Sequence, residues 1–382
     1  MLARTLTLTN FRNHLSTTIS GFASGVNVIA GPNGAGKTTI LEALSVAALS
    51  KSFTGSADSS LVRTGGSSYS VRSGFESSLG VGLHVSIEYV LGPPAKKTIH
   101  LNNDRLRSSS QLVGNIPIVA LTPDDKVITG GSPDERRRFL NLVLSQSSKK
   151  YLEDEIEYRK AVRQRNSLLT DAVKRGTSFA NVKDMLAPWT EMLIKFAVPI
   201  MSRRAEFIEE FRPFLLVSYR KLSEGREEPS FRYAPMNDAD WDGNMNFEAL
   251  LRKRFTEREV EEYRRGSTLV GPHRDDMLIM IDPERTARDY ASQGQHKSLL
   301  VSMKLAEFDY LRDATRETPI LLLDDVFSEL DATRAKRLLE LIASGEFGQT
   351  FISSTTRESF DGMIDFLGDK NKLFVVESGR VV

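Results

Sequence analysis

The stretch Gly31-Pro-Asn-Gly34-Ala-Gly36-Lys37-Thr38 constrains this chain more than any other. It matches the phosphate-loop pattern Gly-x-x-x-x-Gly-Lys-Thr in full. Such a loop works between a strand that delivers it and a helix that leaves it, because the helix N-terminus offers unpaired N–H groups and favourable dipole charge. Both neighbours are present. Val26-Asn-Val-Ile-Ala30 reads as a short apolar strand, and Ile40, Leu41, Leu44, Ala47 and Ala48 recur at helical spacing. The candidate nucleotide-binding residues are therefore Gly31, Pro32, Asn33, Gly34, Ala35, Gly36, Lys37, Thr38 and Thr39. The glycines let successive backbone N–H groups face phosphate oxygens. Lys37 is expected to reach the β- and γ-phosphates of ATP, and the Thr38 hydroxyl to ligate Mg²⁺.

A second feature answers the first. Ile320-Leu-Leu-Leu323 is an apolar strand ending in Asp324-Asp325. A buried strand that delivers a carboxylate at its C-terminal edge supplies the second anchor for Mg²⁺ in phosphate-loop proteins. Asp324 is the candidate metal ligand, and Asp325 the candidate general base or water-orienting residue beside Lys37. Further upstream, Ser292-Gln293-Gly294-Gln295 precedes a helix with Leu299, Met303, Ala306 and Tyr310 on one face. Taken alone, a serine before a helix is an ordinary N-cap.

Between these features the pattern changes twice. Leu2, Leu6 and Leu8 alternate with threonines as a half-buried strand, and Tyr69 to Leu101 reads as an antiparallel meander turning at Gly92-Pro93-Pro94 and Asn102-Asn103. From Ser132-Pro133-Asp134-Glu135, a capping-box signature, to about Arg265 the chain is helical and charge-rich, interrupted by Pro199 and Pro213, with a loop or short hairpin between Ser223 and Asn246. After Gly266 strands return, at Met277 to Ile281, Phe351 to Ser354 and Phe374 to Val376. The expected domains are thus 1–125, an insertion at 126–265, and 266–382, an α/β fold split by a mostly α-helical lobe.

Charge and composition narrow the function. Of 382 residues, Lys+Arg number 51 and Asp+Glu 50, so nucleic-acid contact would need a local basic surface. Arg136, Arg137 and Arg138 open a helix, where cations oppose the dipole, and phosphate contact competes with pairing to Asp134 or Glu135 as their explanation. Arg159, Lys160, Arg163 and Arg165 share a helix with four acids and read as a solvated mixed face. His273 and Arg274 follow Pro272 in a glycine turn with no second histidine at ligand spacing; His296 reads as a helix-start residue, and Trp189 and Trp241 as packing residues. There is no cysteine, which fits a reducing compartment, and no run of 18 apolar residues that would cross a membrane, so the sequence predicts a cytoplasmic protein.

Leu8-Thr-Asn-Phe-Arg12-Asn resembles the N-terminal motif of SMC-type ATPases. Leu269-Val-Gly-Pro-His273-Arg274-Asp275-Asp276, Leu121-Thr-Pro-Asp-Asp125, Gly131-Ser-Pro-Asp-Glu-Arg136-Arg137-Arg138 and Leu321-Leu-Leu-Asp324-Asp325-x-x-Ser328-Glu-Leu-Asp331 resemble the bacterial RecF family within that ABC/SMC class. The likeness runs in order along nearly the whole chain. It implies an ABC-type phosphate-loop ATPase head with an antiparallel β subdomain and an inserted helical lobe. ATP and Mg²⁺ would join two copies head to tail, with Ser292, Gly294 and Gln295 of one copy on the nucleotide of the other. It also implies binding to double-stranded DNA and single-strand/double-strand junctions, and work with RecR and RecO in loading the RecA recombinase. Two departures from the wider ABC pattern imply slow, DNA-stimulated hydrolysis: Asp325 stands where Glu is usual, and Ser353-Ser354-Thr355-Thr356 occupies the region where a histidine is usual. The competing readings are a nucleotide-binding subunit of an ABC transporter, whose serine-glycine motif lies nearer the phosphate loop, and an SMC-like structural ATPase, which needs a long heptad coiled coil absent here.

Overall fold

The computed structural model describes residues 1–223, 227–238, 241, 243–355, 360 and 362–382. Contacts divide the chain into two compact units. The first comprises Met1–Lys126, the end of a long helix from Val217, and Gln293–Val382; the second comprises Val127–Leu216 and the later stretch ending at Ser292.

The first unit holds two six-stranded sheets. One is antiparallel throughout, in the order His14–Ser20, Leu2–Phe11, Ser68–Glu76, Gly82–Val90, Lys96–Leu101, Asp104–Arg105. The meander expected from the alternation after Tyr69 forms its centre. The other is mainly parallel, in the order Arg380–Val381, Lys372–Glu377, Val26–Ala30, Thr350–Ser354, Ile320–Asp324, Ile118–Leu121. The helix Lys37–Leu49 packs on strands of both sheets. This explains why it is buried from Ile40 to Ala48 on every side, where a surface helix shows one apolar stripe. Leu6, Leu8, Ile29, Leu44, Val71, Ile87, Leu322 and Phe351 belong to the core around it.

The second unit is built on the helices Pro133–Ser147, Lys149–Arg175, Phe179–Leu222 and Phe247–Arg265. Two sequence expectations change here. Pro199 and Pro213 do not interrupt the helical run: Phe179–Leu222 is one helix of 44 residues that also contains Pro188. Each proline removes one backbone hydrogen bond, at a cost of about 3 kcal/mol in a helix interior. Buried Leu193, Ile194, Ala197, Ile200, Met201, Phe207, Ile208, Phe211 and Leu215 offset that loss. The return to the first unit also comes at Gln293 and not at Gly266. Asp276–Met280 pairs antiparallel with Ser230–Ala234, so the strand expected to resume the α/β pattern belongs to the second unit. That partner is the one strand described in the Ser223–Asn246 stretch, where a loop or short hairpin was expected, and residues 224–226, 239–240 and 242 of it fall outside the described ones. Trp241 is a packing residue, as expected, stacked 5.5 Å from Phe247.

Buried polar groups fasten this second unit. Arg204, 1% exposed, donates to Asp275 (2.9 Å), Pro272 O (2.6 Å), Asn141 (2.9 Å) and the Tyr151 hydroxyl (3.1 Å). Arg165 is not on a solvated face: it pairs with buried Glu262 at 2.6 Å and lies over the Phe255 ring. The Tyr158 hydroxyl meets His273 Nδ1 at 2.5 Å, and His273 Nε2 meets Thr268 O at 3.1 Å. A neutral ring satisfies both, with Nε2–H donating to the carbonyl and Nδ1 accepting from the tyrosine.

Burial, with Arg274, Arg137 and Arg204 nearby, pulls the His273 pKa down to about 4. A histidine whose folded pKa lies below its unfolded value of about 6.5 contributes stability that is complete above that value and lost as pH falls through the folded pKa. The thermal midpoint is therefore expected to drop between pH 6.5 and 4, and His273→Gln to flatten that dependence. An equally steep decline in the variant, followed by circular dichroism, would assign the acid lability to other groups.

Candidate functional site

Residues of the first unit enclose a cavity of about 660 Å³ at the C-terminal ends of the parallel strands. Its lining includes Asn33, Gly34, Gly36, Lys37, Thr38 and Thr39 of the loop, and Asp325 and Ser353 from the neighbouring strand ends. Gly36 is the N-cap of the Lys37–Leu49 helix in the left-handed region, at φ 110. A Cβ there would come within 2.5 Å of His14 Nε2, so glycine is required by conformation and by space.

The two halves of the sequence signal meet here. Thr38 Oγ1 donates to Asp324 Oδ1 at 2.8 Å. The Ser353 hydroxyl donates to the same carboxylate oxygen at 2.7 Å and accepts the Asp325 N–H at 2.9 Å. Strand order explains the bridge, because Thr350–Ser354 runs between the loop strand and the Asp324 strand, with Ser353 level with both Ile29 and Asp324. Burial raises the Asp324 pKa, opposed by its bonds to Ser353 and Thr38. Asp325 sits at φ 50, a conformation few non-glycine residues adopt, at the turn into Val326–Glu329. Strained backbone of this kind concentrates at functional sites. Lys37 Nζ donates to Gly31 O (2.8 Å) and Pro32 O (2.9 Å). Burial lowers its pKa, and the charges of Asp325 and Asp324 oppose that shift.

A hydroxyl and a carboxylate held side by side are hard oxygen donors of the kind Mg²⁺ prefers, so the residues present fit that ion. Gly294 and Gln295 lie elsewhere in the first unit, at the start of the Gln293–Thr315 helix, and do not line the cavity. Ser292 closes the second unit. His296 stands in the first turn of that helix, as expected of a helix-start residue.

The arginine triplet behaves differently from its DNA-contact reading. Arg136 is 4% exposed and grips Asp276 with two bonds of 2.7 Å. Arg137 pairs with Asp134 at 2.5 Å and donates to Asp275 O. Arg138 alone of the three is well exposed, 3.3 Å from Glu135. The helix begins at Pro133 as expected, yet the Ser132 side chain makes no capping bond.

Several cavity residues carried no chemical assignment in the sequence. Arg12 and Asn13 join the strands Leu2–Phe11 and His14–Ser20. Arg12 stands at φ 53, held by Glu42 at 2.9 and 2.8 Å and by Ser56 at 2.7 Å. Asn13 donates to Gly34 O (3.2 Å) and accepts from Thr39 (3.1 Å), and buried His14 meets Gly36 O at 3.1 Å. The loop is thus braced by the first hairpin. The signal was the Phe11-Arg12-Asn13 run itself, whose role depends on a fold that brings residue 12 to residue 42. Ser353 was noted only as standing where a histidine is usual; Thr356, from the same stretch, lies outside the described residues.

Comparison with known proteins agrees with this geometry. Residues 2–373 match the family model of the RecF/RecN/SMC N terminal domain. The DNA replication and repair protein RecF of Chloroherpeton thalassium is 38% identical over 359 residues, covering 93% of this chain and 95% of that one. That of Salinibacter ruber is 36% identical over 362 residues, 94% and 86% of the two chains. A solved structure of the recombination mediator protein RecF-ATP in the RecFOR pathway superposes with a TM-score of 0.88 at 30% identity, over 100% of this chain and 96% of that one. The Smc head domain of Pyrococcus furiosus, at 17% identity and a TM-score of 0.55, shares the fold alone. Residues 2–373 and two relatives above one-third identity lead to one conclusion: the chain belongs to the RecF family of DNA replication and repair proteins.

Proposed function

We propose that this protein is an ATP-dependent DNA-binding switch of recombinational repair, which uses ATP to join two copies on duplex DNA or at single-strand/double-strand junctions. The observation that carries the reading is the Thr38–Asp324 bond of 2.8 Å with Lys37 and Asp325 lining the same cavity. Thr38 and Asp324 would hold Mg²⁺, which when bound neutralises phosphate charge. Lys37 would lie along the β- and γ-phosphates. Asp325 would orient water, one methylene shorter than the usual glutamate, with Ser353 holding its backbone; a shorter base supports slow hydrolysis and the use of ATP as a clamp. The relative whose solved structure is described as RecF-ATP supports the choice of nucleotide. Cooperation with RecR and RecO in RecA loading rests on family resemblance.

Gly294 and Gln295 lie away from the cavity, and this supports assigning Ser292, Gly294 and Gln295 to the nucleotide of a second copy. Ser292→Arg should then leave ATP binding intact and weaken ATP-dependent dimerisation by roughly 100-fold, since a bulky cation at a packed contact costs several kcal/mol. Light scattering with and without ATP reads this out, and normal dimerisation of the variant would exclude the sandwich. Duplex-DNA binding is expected to require ATP. Binding that ignores ATP, or fast turnover without DNA, would overturn the switch.

The transporter-subunit and structural-ATPase readings have less support. The long stretch from Lys37 to Gly294 holds a meander and a helical lobe, against the short spacing of a transporter subunit, and the inserted segment folds as a compact unit and not as a long coiled coil.

A further inference from the structure

Arg334 occupies an unusual position between two parts of the proposed site. It lies in the first turn of the helix Ala332–Ala343, whose N-cap Asp331 accepts the Arg334 N–H at 3.1 Å and also pairs with its guanidinium. An exposed pair at this spacing is common and contributes little. The rest of the side chain does something else. Nε donates to Ser298 Oγ at 2.6 Å, and Ser298 is 2% exposed on the second turn of the Gln293–Thr315 helix. A Cβ at Gly294 would lie 3.2 Å from Arg334 Nη2, so the guanidinium lies close over that glycine. One planar fork thus addresses three points, which a lysine ammonium cannot reproduce.

The same turn is held a second time, because Lys297 Nζ donates to Glu329 O. Both bonds reach the segment that leaves Asp324 and Asp325. Within that segment, Ser328 Oγ donates to Asp325 O at 2.8 Å, and Asp331 caps the next helix. A continuous path therefore runs from the Asp325 backbone, through residues 326–331 and Arg334, to the helix turn that carries Gly294.

We propose that Arg334 is a positioning residue: it couples the carboxylates that face one copy's own nucleotide to the glycine turn that grips the nucleotide of the other copy. This rests on the two-copy reading above. Occupancy at Asp324 and Asp325 then sets the placement of Gly294, and the two nucleotide sites of a dimer are linked through each subunit.

The test compares Arg334→Ala, Arg334→Lys and Ser298→Ala in the full chain, with Ser292→Arg as the reference. Arg334→Ala is expected to keep the ATP affinity of dilute monomer, to weaken ATP-dependent dimerisation about tenfold, and to abolish cooperativity in the dependence of hydrolysis on ATP concentration. Lysine at 334 should not rescue, and Ser298→Ala should add nothing to Arg334→Ala. If Arg334→Ala dimerises like the unchanged protein while Ser292→Arg does not, the coupling is wrong and the sandwich stands. If both dimerise, the sandwich itself fails. If Arg334→Ala loses ATP affinity in proportion to dimerisation, its role is general stability and the positioning assignment falls.

Discussion

Lys37→Ala is expected to abolish nucleotide binding at concentrations that saturate the unchanged protein, a loss of affinity of roughly 100-fold or more. The lysine shares the cavity with Asp325, and the charges of Asp325 and Asp324 both act on it. Its removal deletes charge-assisted contacts worth about 1.5–3 kcal/mol each, and leaves a triphosphate facing two acids with no counter-charge from the loop. Folding should be little affected. Among the described residues the ammonium bonds to the carbonyls of Gly31 and Pro32, and the helix it opens is secured by Ile40, Leu41 and Leu44. Calorimetric titration with ATP measures the loss directly. Affinity retained within tenfold would mean that the cavity is not the nucleotide site.

Arg136→Ala should have the other large effect, on stability and not on DNA affinity. Arg136 and Asp276 are both nearly inaccessible and share two bonds of 2.7 Å. Removing one member of a buried pair strands the other charge, a penalty of about 3–5 kcal/mol. Arg136→Met with Asp276→Leu should recover much of it, because a buried ion pair replaced as a pair by apolar groups is often neutral. Arg138→Ala, at an exposed position, should change stability by less than about 0.5 kcal/mol. Denaturant unfolding separates these variants. If Arg136→Ala unfolds normally and loses DNA affinity, the residue is a phosphate contact after all.

The contrast within one tripeptide shows where sequence reasoning stops. Three consecutive arginines look alike in a row of letters, and helix geometry sends them in different directions. Whether a cation meets Asp276, Asp134 or solvent depends on a strand that arrives 140 positions later. Arg165 was misread for the same reason, since its partner Glu262 belongs to another helix. The prolines at 199 and 213 were weighed by local propensity, which the burial of both flanks overrides.

The phosphate loop, the Asp324-Asp325 strand end, the meander and the inserted helical character could all be read from the chain, because each depends on residues close in sequence: glycines that permit one loop shape, apolar runs of strand length, alternation of period two. The RecF-family motifs extended that reading along the chain's length. Tertiary structure decided what depends on residues far apart. It set Thr350–Ser354 between the loop strand and the Asp324 strand, which makes Ser353 the bridge between the Asp324 carboxylate and the Asp325 backbone N–H. It put Asn13 and His14 against the loop and Arg12 against Glu42, and it assigned Asp276–Met280 to the second unit. Strand order and long-range ion pairs are chosen by the packing of the whole, and no local pattern encodes them.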